Sequence, residues 1–264
     1  YLLMSSRRRW ILDVPVFAMV LLVVLVSSDR EAIWSPYHYI TVSRAETPGV
    51  TESDPPPDLF TMMNPPTYSV SVHHFYYHYN LALDPARYTP GSQRSADIAA
   101  LSQYFRFPYA IAKGRDRALI LGSGGGGDVL GALVSGVRHV DAVEIDPVVV
   151  QLSRRFNADR PYADPRVTIH VDDARSYIAK AKKGYDVVVY GLLDSHALFS
   201  SMNNVRLDGY VYTVEGLRTA FGLLNDDGML ALAFYIQKDW LLPKLHQLVA
   251  EATGREPAVY VLNR

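Results

Sequence analysis

Cysteine is absent from the 264-residue chain. Disulfides, thiolate metal sites and cysteine nucleophiles are therefore excluded, although the absence does not decide the compartment. An excess of charge of either sign is also missing: 26 Lys and Arg stand against 27 Asp and Glu, a formal net charge of −1. A nucleic-acid binder carries a basic excess or a basic stripe, and neither is present, so no nucleic-acid partner is expected. No internal repeat is visible. Apolar residues are plentiful at 49 %, enough for one large domain or for one domain with an extension. The chain opens on Tyr1 rather than methionine and stops at Arg264, directly after the strand-like Ala258–Leu262. It reads as a piece of a longer protein.

One long hydrophobic run stands out. Residues 10–26 are almost wholly apolar, and as a helix they would reach roughly 25 Å, close to the thickness of a bilayer core. Arg7, Arg8 and Arg9 precede the run and Trp10 would sit at the interface, so residues 1–28 are expected to form a transmembrane segment. A signal peptide is the rival, but Ser27-Ser28-Asp29-Arg30 offers no small-residue cleavage site. The arginines favour an exported main domain, whereas a nucleoside made in the cytoplasm favours the opposite side. The expected placement is the inner membrane with the main domain facing the cytoplasm, its orientation open.

Residues 29–112 read as an extension holding strands and a helix. Pro55-Pro56-Pro57 and Pro65-Pro66 break its first part. Tyr68–His73 alternates polar and apolar residues, as a strand does. His73, His74 and His78 could offer nitrogen ligands, yet no carboxylate or cysteine completes a set. An aromatic strand or flap over a pocket is the stronger reading of 73–79. Ser95–Phe107 has the texture of a helix.

From residue 113 strands and helices alternate. Strands are expected at 118–121, 140–145, 167–171, 185–190, 229–236 and 258–262. Helices are expected at 128–135, 147–156, 174–182, 213–224 and 239–252. Repeated βα units imply an α/β domain over 113–264, a doubly wound, mostly parallel sheet of the Rossmann type.

The first of these strands runs into Gly122-Ser-Gly-Gly-Gly-Gly127-Asp128 and then a helix. Gly122, Gly124 and Gly127 satisfy G-x-G-x-x-G in the required setting, where a side chain would block a ligand's approach to the backbone. Glu144 follows about 20 residues on, at the end of the second strand, where an acid can accept from ribose hydroxyls. Asp128 at the helix start would repel a pyrophosphate but suit a cation; ordinary first-turn stabilisation of the helix explains it equally well. The third strand ends in Asp172-Asp173-Ala174. One carboxylate there could read an adenine amino group, or could simply cap the next helix. Glycine loop, Glu144 and Asp173 lie at successive strand ends and together point to an adenosine moiety.

These residues resemble the spermidine synthase family, a branch of the class I S-adenosylmethionine-dependent transferase fold. The likeness covers about residues 115–236 and rests on Leu119-Ile-Leu-Gly-Ser-Gly-Gly-Gly-Gly-Asp128, Val143-Glu-Ile-Asp-Pro147, Val171-Asp-Asp-Ala174 and Tyr185-Asp-Val-Val-Val-Tyr190. More narrowly, Trp34-Ser-Pro-Tyr37, Leu193-Asp-Ser-His196 and Arg206–Thr213 look like the bacterial membrane-bound relatives of that family. The resemblance implies S-adenosylmethionine or its decarboxylated form as cofactor. Gly122, Ser123, Gly124, Gly125 and Asp128 would hold its tail, Glu144 its ribose, Ile145 the adenine face, and Asp173 with Ala174 the adenine edge. A small-molecule acceptor, a polyamine by family likeness, and a homodimer are implied as partners. The family carries Asp-Ser-Ser-Asp-Pro after the fourth strand, its first aspartate helping to deprotonate the attacking amine. Here Gly191 takes that place and Asp194 falls on the second aspartate, which makes Asp194 the catalytic candidate. Tyr190, His196 and Arg206 are further candidates. The family's tyrosine–carboxylate pair on the preceding helix has no clear counterpart near Tyr104–Tyr109. A methyltransferase on an unknown acceptor, which needs no base at position 191, and a membrane-tethered nucleoside sensor without chemistry are the alternatives.

Overall fold

The computed structural model describes residues 14–19, 32–44, 68–72, 75–80, 82–84, 87–191, 211–234, 236 and 238–261. The main domain begins with helix α1 (Gln93–Ile111). It continues through β5 (Arg117–Leu121), α2 (Gly127–Val134), β6 (His139–Glu144), α3 (Pro147–Phe156) and β7 (Val167–Val171). Helix α4 (Ala174–Lys180), β8 (Tyr185–Tyr190), α5 (Val214–Gly222), β9 (Leu224–Leu232) and α6 (Leu241–Thr253) complete it. The five strands pair in parallel in the order β7-β6-β5-β8-β9. The expected doubly wound sheet is therefore present, and its order reverses between β5 and β8.

Alternation along the strands splits the core in two, because successive side chains leave opposite faces of a sheet. Ala118, Ile120, Val140, Ala142, Val187 and Val189 face Tyr109 of α1 and Val129, Ala132 and Leu133 of α2. Leu119, Leu121, Val143, Val188 and Tyr190 face Ile178 of α4 and Leu217 and Ala220 of α5. Both faces are covered, which is why these strands read as continuous apolar runs. Asp186 at the start of β8 serves the frame: its carboxylate accepts the Asp116 N–H at 2.6 Å, the Arg117 N–H at 3.2 Å and Asn225 Nδ2 at 2.8 Å.

A smaller antiparallel sheet precedes the domain, with β1 (Ala32–Trp34), β2 (Tyr39–Arg44), β3 (Tyr68–Val72) and β4 (Phe75–Asn80) in sequential order. The first two strands were not expected from the sequence; β3 and β4 fall on the expected strand and on the aromatic segment. Ile40 and Val70 bury themselves against Val149 and Leu152 of α3, so this sheet stands beside the helix that follows Glu144.

Three expectations are corrected. Among the described residues no helix is long and apolar enough to cross a membrane. This overturns the expected membrane placement; of the run 10–26, only residues 14–19 lie within the described residues. The strand expected at 229–236 begins instead at Leu224 and ends at Leu232, with a register shift opposite Tyr185 and Val187. The turn-like Asn225-Asp-Asp-Gly228 is taken up as a bulge. Residues 256–261 form no strand. A β-prone run becomes a strand where an edge pairs with it, and among the described residues none does; Tyr260 lies edge-on to Phe107 with ring centroids 4.9 Å apart.

Candidate functional site

The strand order reverses between β5 and β8, and the carboxyl ends of the strands at such a reversal are where open α/β sheets take ligands. Residues 122–127 turn there. The Gly122 and Ser123 N–H groups both donate to Val143 O, at 2.9 and 3.0 Å, which ties the loop to the end of β6. Gly122, Gly124 and Gly126 have φ of 70°, 48° and 87°, the left-handed region that side chains disfavour. They do different work. A Cβ on Gly124 would meet nothing within 4 Å, whereas one on Gly126 would run into Pro161 at 2.6 Å. Gly127 serves packing: a Cβ there would lie 2.7 Å from the Phe105 ring of α1, and one on Gly131 would strike the Phe105 backbone. Of the glycines in the motif, the last is thus explained by the contact between α1 and α2, and Gly124 has open space above it.

Glu144 reaches this loop. It is buried, with 2 % of its surface exposed. Its Oε2 accepts the Gly124 N–H at 2.8 Å and its Oε1 the Asp146 N–H at 3.0 Å. Burial raises its pKa, and those two N–H donors oppose the rise. Each carboxylate oxygen keeps a second lone pair, so the group can still accept from a ligand diol. Tyr162, from the short turn Pro161–Ala163, donates its hydroxyl to Gly124 O at 2.7 Å and lies 2.8 Å from Ser123 Oγ. Gly125 O accepts from Ser153 Oγ at 2.8 Å and Asn157 Nδ2 at 2.9 Å. The loop is held on every side by the protein before any ligand arrives.

The neighbouring turn is built as firmly. Asp146 is fully buried and caps α3, its Oδ1 accepting the Val148 N–H at 2.9 Å. Its Oδ2 accepts Ser35 Oγ at 2.5 Å and pairs with His38 Nδ1 at 2.8 Å. The segment between β1 and β2 is thereby pinned beside Glu144, a link the sequence gave no spacing signal for. Asp173 caps α4, with Oδ1 accepting the Ser176 N–H at 2.8 Å, and Asp172 Oδ1 accepts the Asp173 N–H at 2.9 Å. Asp173, Ala174 and the partly buried Ile145 lie at the ends of β7 and β6, on the same edge of the sheet as Glu144.

Across the reversal, Gly191 follows β8 and donates its N–H to Leu121 O at 3.1 Å. A Cβ on Gly191 would stand 2.9 Å from Gly122 O and 3.1 Å from Asp128 Oδ2. Asp128, in the first turn of α2, thus lies over the junction of β5 and β8. Burial pushes its carboxyl up to about 6. Tyr109 of α1 is 1 % exposed, its hydroxyl has no partner among the described residues, and burial followed by the charge of Asp128 holds its pKa well above the usual value. Tyr212 donates its hydroxyl to Gly191 O at 3.4 Å and packs on Phe234 at 4.7 Å. Tyr190 is fully buried in the core, its hydroxyl 3.5 Å from Gly216 O. Asp194, His196 and Arg206 lie outside the described residues. Among the described residues no group of three or more His, Asp or Glu side chains could hold a metal.

Comparison with known proteins agrees with this layout. The spermine/spermidine synthase domain profile matches residues 104–245, more than half of the chain, and the chain belongs to that family. Its curated relatives include the polyamine aminopropyltransferase of Thermoplasma volcanium, 31 % identical over 116 residues, or 39 % of this chain and 42 % of that protein. The polyamine aminopropyltransferase of Vibrio vulnificus is 37 % identical over 120 residues, 44 % of this chain and 36 % of that protein. The chain therefore spans less than half the length of these relatives. Among solved structures, a spermidine synthase in complex with the transition state analogue AdoDATO superposes with a TM-score of 0.56 at 17 % identity, over 84 % of this chain and 65 % of that one. Thermotoga maritima spermidine synthase does so with a TM-score of 0.54 at 17 % identity, over 84 % and 63 %. The α/β fold is that of the spermidine synthases.

Proposed function

We propose that the crevice binds decarboxylated S-adenosylmethionine and that the chain transfers its aminopropyl group to a polyamine. The observation that carries this reading is Glu144, a buried carboxylate drawn onto the Gly124 N–H at the strand reversal, set to accept from a ribose diol. Ile145 would lie against the adenine face. Asp173 keeps its second oxygen for the adenine amino group, and the Ala174 N–H, in the unpaired first turn of α4, would meet a ring nitrogen. The residues present suit this group: Gly124 leaves open space on the ligand side, and Asp128 offers an anion where a pyrophosphate would be repelled. The same charge disfavours a tail that keeps its carboxylate, which favours the decarboxylated form. When bound, the cofactor supplies an electrophilic carbon beside a sulfonium. The chain's part would be to hold that carbon in line with the acceptor amine and to exclude water from it.

The test is turnover. Purified chain incubated with labelled decarboxylated S-adenosylmethionine and putrescine is expected to yield a labelled polyamine and 5′-methylthioadenosine. Adenosyl binding without labelled polyamine rejects aminopropyl transfer. The glycine at position 191 favours a second reading, methyl transfer, which needs no base there; methylation of an acceptor with the full cofactor, and no reaction with the decarboxylated one, would establish it.

A further inference from the structure

We propose that Asp128 is the carboxylate that receives the cationic amine of the acceptor and takes its proton, in place of any side chain at position 191. The proposal rests on the aminopropyl-transfer reading of the same crevice and adds a residue to it. Position 191 cannot carry an acid as the chain is folded: the first carbon of any side chain there would meet Gly122 O at 2.9 Å. The carboxylate comes from the other wall. Asp128 Oδ2 lies 3.1 Å from that same point, so an anion from the start of α2 stands where one from the end of β8 would begin.

Two further observations point to a ligand. The Asp128 carboxyl is only partly exposed, and desolvation raises its pKa to about 6, so its anion is poorly hydrated and an arriving ammonium would offset that cost. The Tyr109 hydroxyl, on a residue 1 % exposed and within reach of the charge of Asp128, is without a partner among the described residues. The titratable groups coupled to Asp128 are Tyr109 from α1 and Tyr162 from the turn before β7; both stay protonated and neither supplies a cation. Tyr212 and Phe234 give an aromatic wall next to Gly191, which suits the methylene chain and charged end of a diamine.

The step balances. The acceptor nitrogen forms a bond to the propyl carbon and the carbon–sulfur bond breaks, its electron pair staying on sulfur as a neutral thioether. The surplus proton on nitrogen passes to an Asp128 oxygen and on to water. A base titrating near 6 is well matched to this task at neutral pH.

Asp128→Asn in the full chain tests it. The expected result is a fall in turnover of about 100-fold or more, with loss of the limb of kcat/KM that rises through pH 6. By calorimetry in the presence of 5′-methylthioadenosine, putrescine affinity should fall at least tenfold, while 5′-methylthioadenosine itself binds as before. Folding provides a control. The folded-state pKa of Asp128 is raised, so its protonated form favours the fold below the unfolded value and that contribution is lost as pH rises through about 6. The variant should therefore melt higher than the parent at pH 7, and the gap should close by pH 4. Unchanged turnover and putrescine binding, or a change confined to the KM of the cofactor, overturns the role of Asp128. A parent chain that binds putrescine through Asp128 yet transfers nothing overturns aminopropyl transfer instead and leaves the cation site standing.

Discussion

The two sides of the strand reversal are built to opposite rules. On the β6 side, every carboxylate at the strand ends is engaged: Glu144 by Gly124 and Asp146, Asp146 by Ser35, His38 and Val148, Asp173 by Ser176. Where α2 faces the end of β8, the Tyr109 hydroxyl has no partner among the described residues and desolvation raises the Asp128 carboxyl to about 6. The satisfied side is stiff and pre-shaped, as a subsite that must hold an invariant nucleoside should be. The unsatisfied side stores an electrostatic cost that a passing cation relieves, as a reaction chamber should. Stability and activity are in tension there, and binding energy is kept for the ligand rather than consumed in folding.

The sharpest way to break this contrast is on the stiff side. Glu144→Gln keeps the size of the side chain but turns one acceptor oxygen into an NH2 that faces a backbone N–H, either Gly124 or Asp146. Charge-assisted hydrogen bonds are worth about 1.5–3 kcal/mol each, so affinity for 5′-methylthioadenosine should drop about 100-fold, or about 2.8 kcal/mol. Isothermal titration reads this directly. If Glu144→Gln and Asp128→Asn weakened the nucleoside equally, the division between a nucleoside side and an acceptor side would be wrong.

A smaller effect is expected at the seam. Gly191→Ala places a carbon 2.9 Å from Gly122 O and 3.1 Å from Asp128 Oδ2, forcing β8 or the glycine loop to shift. Overpacking of this kind costs about 2 kcal/mol, measurable as a lower urea midpoint with an unchanged slope. An alanine tolerated without cost would mean that the seam has room for a side chain, and the reason given for moving the acid to Asp128 would disappear.

Much of this was legible in the sequence because it depends on short-range pattern. The run Ala118–Leu121, the glycines after it and Glu144 about 20 residues later are properties of one βα unit, and the strand at 185–190 reads as a nearly continuous apolar run because both its faces are buried. Long-range pairing left no such trace. Nothing in Ser35-Pro-Tyr-His38 announces that it docks on Asp146, more than 100 positions away, and β1, with three residues, is too short to show a period. The motif itself was ambiguous in one respect: Gly127 and Gly131 satisfy a binding pattern and a helix-packing pattern alike, and only the Phe105 contact separates them. The run 10–26 shows the opposite failure. Its hydropathy suggested a span, a conclusion that needs a continuous apolar helix of about 20 residues, and among the described residues no helix is both long and apolar enough.

The smallest expected effect concerns the unpartnered hydroxyl of Tyr109 on the open side. Tyr109→Phe removes a hydroxyl and leaves the ring, which packs with Ala132 and Leu133 of α2. In the free protein the buried hydroxyl has been stripped of water with no partner gained among the described residues, so its deletion should stabilise the fold by about 1 kcal/mol. In the loaded protein the hydroxyl can accept from the ammonium held by Asp128, so putrescine affinity should fall a few-fold while 5′-methylthioadenosine affinity stays put. Thermal melting and titration of both ligands on one variant separate the two contributions. A variant that melts lower, with both affinities unchanged, would mark Tyr109 as ordinary core, and the open side of the crevice would then rest on Asp128 alone.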